Sequence, residues 1–191
     1  IKLVDLNVSK LTDDDLAWAE LVFLSAMAIQ RESAREIIAR CKDTGKRIVA
    51  GGPLFSSEYE QFEDVDHFIL NEAELTLPPF LEDMEKGKAK RIYQDSSFCD
   101  IRKSPSPKWE LINLKHYASV GIQFSRGCPF NCDFCNITSL LGRRVRIKNT
   151  EQIVRELDDL YAQGWRRNIF FVDDNFIGNK KYVKGDLLPR L

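Results

Sequence analysis

No stretch of this sequence is apolar for long enough to cross a membrane as a helix, and no secretory leader opens it. Charge of either sign is not in excess: 28 Lys and Arg against 29 Asp and Glu leave a net charge of −1. That balance gives no electrostatic case for nucleic acid or an anionic membrane as a partner. Internal repeats and low-complexity segments are absent. The five cysteines are odd in number and three lie too close together to staple distant segments, which excludes a disulfide scaffold. A structural zinc site wants a fourth ligand, normally from a second pair, and neither Cys99 nor His116 supplies one. The first residue is Ile1 rather than Met, and Ile1–Asn7 reads as a strand, so the true start is expected upstream.

What the sequence does have is three cysteines within eight residues, Cys128, Cys132 and Cys135, in Gly127-Cys-Pro-Phe-Asn-Cys-Asp-Phe-Cys135. Iron–sulfur clusters are held by cysteine thiolates, and a cubane normally takes four. A loop that offers three leaves one iron open, and an open metal position is where a substrate or cofactor can bind.

Hydrophobic residues at 43% and charged residues at 30% are ordinary for a soluble globular protein. Residues 1–87 alternate short apolar runs with helical patterns. Strands are expected at Lys2–Leu6, at Leu21–Ala26 (buried on both faces), at Arg47–Ala50 and at Asp66–Leu70. Helices are expected over Arg31–Lys42, ended by Gly45, and over Glu74–Lys86 with Leu77, Phe80, Leu81 and Met84 on one stripe. Such alternation means parallel pairing and a doubly wound sheet. Residues 88–117 lose the rhythm, and Ser104-Pro-Ser-Pro107 marks a linker. Ala118–Phe124 is a strand feeding into the cysteine loop. A helix capped by Asn149 or Thr150 and stopped at Gly164 follows, then a strand at Ile169–Val172 with Asp173-Asp-Asn-Phe176 at its carboxyl end. Ligand sites of parallel sheets form where loops leave the carboxyl ends of strands, so the cysteine loop and Asp173–Phe176 should converge.

Strand, cysteine loop, helix and strand in this order resemble the start of the radical S-adenosylmethionine superfamily's partial (β/α) barrel. The resemblance implies a 4Fe–4S cluster on Cys128, Cys132 and Cys135. Its open iron would chelate S-adenosylmethionine, which reduction cleaves to a 5′-deoxyadenosyl radical. Phe134 matches the aromatic that packs beside the adenine, or simply covers the cluster. Where many members carry Gly-Gly-Glu, this chain has Asp173, Asp174 and Asn175, a departure that resembles the cobalamin-linked branch. An oxygen from one of the three can accept from the methionyl ammonium, and which one stays open; a helix-capping role is the competing reading. The basic stretch Arg143, Arg144, Arg146 and Lys148 is a solvated face, unless Arg146 holds a carboxylate or pairs with Glu156.

Ser25-Ala-Met27 and Gly51-Gly52-Pro53, each after a parallel strand, resemble the ligand loops of cobalamin-binding Rossmann-like domains. Asn71-Glu72-Ala73-Glu74 is similar to the Gly-Glu-x-Glu segment of vitamin-dependent radical proteins, with Asn tolerating a left-handed turn. The resemblance thus implies cofactor contacts at Ser25, Met27, Gly51, Gly52 and Glu72. No Asp-x-His-x-x-Gly supplies an axial histidine, and His67 is expected to be structural.

The expected fold is α/β: an N-terminally truncated Rossmann-like, cobalamin-binding-type domain over 1–87, a linker over 88–117, and the N-terminal part of a radical S-adenosylmethionine domain over 118–191. The family resembled is the cobalamin-binding-domain branch, whose members include hopanoid methylases and anaerobic magnesium-protoporphyrin IX monomethyl ester cyclases. It implies methyl transfer to, or oxidative modification of, a small-molecule or lipid-like substrate. A reducing partner such as flavodoxin or ferredoxin is implied, in a reducing cytoplasm. The alternatives are a methylthiotransferase, which needs further cluster cysteines that Cys41 and Cys99 cannot provide, and a non-catalytic iron–sulfur or metal-binding module.

Overall fold

Runs such as Arg47-Ile-Val-Ala-Gly51, rich in β-branched residues and closed by glycine, set the strands; amphipathic segments ended by glycine set the helices. A computed structural model describes residues 1–191. The chain divides into two compact units, Leu11–Cys99 and a second composed of Ile1–Lys10 with Asp100–Leu191. No helix is long and apolar enough to cross a membrane.

In Leu11–Cys99, helix α1 (Asp13–Trp18) opens on a reciprocal cap between Thr12 and Asp15. Strands β1 (Leu21–Ser25), β2 (Arg47–Gly51), β3 (His67–Ile69) and β4 (Ile92–Tyr93) form one parallel sheet in that order, with Val22 opposite Ile48 and Ala50 opposite Phe68. Helices α2 (Arg31–Asp43), α3 (Pro53–Glu58) and α4 (Ala73–Glu85) make the crossovers. One core gathers Ile37, Ile38 and Cys41 of α2 with Ile48, Ala50, Leu54, Phe55 and Phe68; a second joins Val49, Ile69, Phe80 and Tyr93. Fully burying an aromatic such as Phe55 or Phe68 stabilises by about 1.5–3 kcal/mol. Helix α2 ends at Gly45, whose φ of 66° suits glycine, and Asn71 takes a left-handed φ of 66° before α4 as expected.

Two strand expectations need correction. β1 is not buried on both faces: its one strand partner is β2, and Phe23 stays 55% exposed. Lys2–Leu6 is not a strand. Asp5 folds the segment into a turn by accepting from the backbone and side chain of Asn7 and through its own carbonyl from Val8 and Ser9. Its carboxylate also accepts from the Tyr117 hydroxyl at 2.8 Å, which ties these residues to the second unit.

In that unit, β5 (Ser119–Ile122) pairs in parallel with β8 (Asn168–Phe171), Ile122 lying opposite Phe171. β6 (Ser125–Arg126) pairs antiparallel with β7 (Arg146–Ile147) and encloses the cysteine loop and the short helix α5 (Ile137–Leu141). Helix α6 (Thr150–Ala162) begins on an Asn149–Gln152 capping box, and Gly164, with φ of 87°, follows its end. Val120, Ile122, Phe124, Ile153, Leu160, Trp165, Val183 and Leu187 form the core. Within it, Lys148 Nζ and Glu156 make a buried ion pair at 2.5 Å. Lys148 is thus buried rather than part of a solvated face, and it, not the alternative Arg146, pairs with Glu156; Arg146 donates from Nη2 to the Leu141 carbonyl at 2.9 Å.

Candidate cluster site

β5 ends at Ile122, and the chain bends through Phe124 and Ser125 into β6 and then the cysteine loop. Gly127 makes the bend possible. Its φ is 91°, and a Cβ there would lie 2.6 Å from the Arg144 carbonyl oxygen and 3.0 Å from those of Gly142 and Leu141. The return limb of the loop is thus packed directly on the backbone that precedes Cys128, and the Cys128 N–H donates to the Gly142 carbonyl at 3.1 Å. The Cys135 N–H donates to the Cys132 carbonyl at 3.0 Å, turning the CxxC half of the motif back on itself. All three cysteines are free thiols, Cys128 and Cys135 half-buried and Cys132 exposed. The sulfurs are not drawn into a ligand group; no three His, Cys, Asp or Glu side chains are gathered for a metal anywhere in the chain.

β8 delivers its carboxyl end to the same place, since the Val172 N–H donates to the Ile122 carbonyl at 3.0 Å. Phe176 anchors the segment, its ring 5.8 Å from that of Phe124 and 4.9 Å from that of Phe171. Asp173 accepts from the Phe124 N–H at 3.3 Å, from the Ser125 hydroxyl at 2.6 Å and from the Ser125 N–H. Asp174 accepts from the Gly127 N–H at 3.3 Å, and Asn175 Nδ2 donates to Cys128 Sγ at 3.8 Å. The two loops therefore meet, as the parallel-sheet rule requires.

Burial pushes the carboxyls of Asp173 and Asp174 above the ordinary aspartate value. Hydrogen bonds from Ser125 and Phe124 oppose the rise at Asp173, and the Gly127 N–H and the Arg126 charge oppose it at Asp174. The donor set fits an iron–sulfur cluster: unpaired thiols on one loop, with an amide donor already directed at one sulfur. Phe134, just before Cys135, is 94% exposed.

In the other unit, Ser25, Met27, Gly51 and Gly52 lie at the carboxyl ends of β1 and β2. Ser25 and Gly52 touch: a Cβ on Gly52, whose φ is 86°, would meet Ser25 Oγ at 2.6 Å. Met27 is exposed. Gly51 is small for a different reason, because a Cβ there would fall 2.8 Å from the Ile69 carbonyl oxygen on the neighbouring strand. Glu72 lies past the carboxyl end of β3, at the start of α4. It is buried, and Oε2 accepts from the Cys99 N–H at 2.7 Å, so its carboxylate fixes the chain after β4. His67 bonds through Nδ1 to the Lys90 carbonyl at 2.7 Å, a structural contact.

Inspection of the sequence did not single out Gly127, Ser125 or Gly178. Gly127 directly precedes the first cysteine, but nothing in the sequence shows the three carbonyls that crowd it.

Residues 122–186 match the radical SAM superfamily. The chain is 45% identical over 185 residues to an uncharacterized methyltransferase of Synechocystis sp., a match covering 96% of this chain and 34% of that protein. It is 36% identical over 195 residues to the hopanoid C-2 methylase of Rhodopseudomonas palustris, covering 100% of this chain and 37% of that protein. TsrM from Kitasatospora setae, a radical S-adenosylmethionine methyltransferase solved with tryptophan substrate and an analog of S-adenosylmethionine, superposes with a TM-score of 0.64. That match has 17% identity and covers 93% of this chain and 44% of TsrM, so it speaks to the fold. The chain spans about a third of the length of the curated relatives it matches.

Proposed function

We propose that the chain, whose residues 122–186 match the radical SAM superfamily, carries the cluster loop and a cobalamin-binding-type domain of a radical S-adenosylmethionine methyltransferase. The observation that carries this reading is the meeting of the two loops: Asp174 on Gly127 and Asn175 on Cys128, at the carboxyl ends of β8 and β5. Cys128, Cys132 and Cys135 would ligate three irons of a 4Fe–4S cluster. When bound, that cluster supplies the electron that cleaves the sulfonium of S-adenosylmethionine. Gly127 lets the loop close against residues 141–144, and Phe176 fixes where Asp173–Asn175 stand. Asp173 already accepts three hydrogen bonds from Phe124 and Ser125, whereas Asp174 accepts one from Gly127, so Asp174 has the greater free acceptor capacity for the methionyl ammonium.

For the first unit, the reading rests on Ser25, Met27 and Gly52 at a sheet edge where parallel α/β folds bind ligands. TsrM has also been solved with cobalamin and a 4Fe–4S cluster bound, at the same TM-score of 0.64. Methyl transfer is favoured over oxidative modification because the relatives with substantial identity are methylases. The substrate would be a small or lipid-like molecule, and the electron would come from a flavodoxin- or ferredoxin-type donor.

The test combines two assays on the whole protein. Anaerobic incubation with S-adenosylmethionine and dithionite should yield 5′-deoxyadenosine in the wild type and none in Cys132→Ala. Equilibrium dialysis should show cobalamin uptake that Met27→Asp weakens. Protein that binds cobalamin but never consumes S-adenosylmethionine would overturn the radical reading, and the reverse would reduce the first unit to an accessory domain.

A further inference from the structure

Asn175 does something that its place in the Asp-Asp-Asn run does not require. Its side-chain Nδ2 donates to Cys128 Sγ at 3.8 Å, the distance of an N–H···S hydrogen bond. Bound to iron, this sulfur would carry lone pairs and no proton, so the amide nitrogen, not the oxygen, is the group suited to face it. The carboxamide is held from the other side by a missing side chain. Gly178 has no left-handed backbone to explain it, yet a Cβ there would lie 3.2 Å from Asn175 Cγ, 3.3 Å from Nδ2 and 2.9 Å from Val145 Cγ2. The Gly178 N–H also donates to the Asn175 carbonyl at 2.9 Å, closing a short turn that aims the side chain back at the cysteine loop.

Hydrogen bonds to cluster sulfurs are among the levers that set the potential of an iron–sulfur site. When the cluster takes one electron from a low-potential donor, its sulfurs become more electron-rich. A donor on Cys128 then gains more from the reduced state than from the oxidised one, and the potential rises. We propose that Asn175 tunes the cluster in this way, and that Gly178 is glycine so that the carboxamide can reach the sulfur. This rests on the cluster reading above. The role differs from holding the methionyl ammonium: Asn175 acts through a ligand sulfur, and its effect is present without S-adenosylmethionine.

The test is the midpoint potential of the reconstituted cluster in the whole protein, read by EPR-monitored redox titration without S-adenosylmethionine. Asn175→Ala should make the cluster harder to reduce by about tenfold in the reduction equilibrium, which is 59 mV for one electron. Gly178→Ala, which keeps every donor but crowds the carboxamide, should shift it the same way. In the Asn175→Ala background, Gly178→Ala should add nothing further. A wild type that binds no cluster sinks the function proposed above. A wild type with a cluster whose potential is unmoved in both single variants sinks only the tuning role. If both variants lose their iron, Asn175 serves to retain the cluster and the tuning role is likewise overturned.

Discussion

Gly127→Ala isolates what the backbone before Cys128 contributes. Two costs apply. A left-handed φ of 91° disfavours any residue with a Cβ, by about 1–2 kcal/mol. The new methyl would also sit 2.6 Å from one backbone carbonyl oxygen and 3.0 Å from two others. Main-chain atoms cannot rotate aside, so this overpacking adds about 1–3 kcal/mol. Gly164→Ala is the matched control. Gly164 lies in the same unit with φ of 87°, and nothing lies within 4 Å of its Cβ position, so only the conformational cost of about 1–2 kcal/mol applies. The difference between the two variants is the clash. With a urea slope of about 2 kcal/mol per molar it becomes a midpoint difference of about 0.5–1.5 M. Urea unfolding of the apoprotein by circular dichroism, with Cys128, Cys132 and Cys135 kept reduced, reads it directly. Equal midpoints for the two variants would refute the packed-loop geometry.

Glu156→Ala leaves the Lys148 ammonium buried without its partner, so it should cost about 3–5 kcal/mol by denaturant unfolding. The double variant Lys148→Met with Glu156→Leu should recover most of that loss. Gly51→Val should destabilise the four-stranded sheet through the Ile69 carbonyl, so impaired cobalamin binding in that variant should be accompanied by a lowered melting temperature, unlike Met27→Asp. Asp173 holds its proton more tightly folded than unfolded, because burial raises its carboxyl above the ordinary value of 3.8. Its contribution is therefore fully present below that value and is lost as pH rises through the higher folded value. Over that window, wild-type stability relative to Asp173→Asn should fall with rising pH; a rising difference would contradict the burial argument.

Much of the scaffold was legible because the signals were local. Ile48-Val49-Ala50 reads as a buried strand, and Asn149 or Thr150, with Gly45 and Gly164, marks helix ends through backbone chemistry that acts within a few residues. The errors came where tertiary context decides. Leu21–Ser25 has the composition of a central strand, but its place in the sheet leaves Phe23 facing out. Lys2–Leu6 carries the short apolar run of a strand, yet one turn-forming carboxylate at Asp5 redirects it. Arg146 and Lys148 are two apart and share a side of an extended segment, so spacing could not say which one reaches Glu156. At the site, the cysteines were evident from spacing alone. The contacts from Asp174 and Asn175 cross about 47 residues of sequence, and only the parallel pairing of β5 with β8 brings them together. The contact of Glu72 with the Cys99 amide likewise joins groups far apart in sequence.

The most direct test of the central claim is anaerobic reconstitution of the whole protein with iron and sulfide, followed by titration with S-adenosylmethionine. The cysteine loop predicts about four irons per chain and a cluster spectrum that shifts as S-adenosylmethionine is added. Cys128→Ala, Cys132→Ala and Cys135→Ala should each abolish that cluster, whereas Cys41→Ala and Cys99→Ala should leave it intact. Stoichiometric zinc in protein purified without oxygen, or a cluster whose spectrum ignores S-adenosylmethionine, would contradict the assignment.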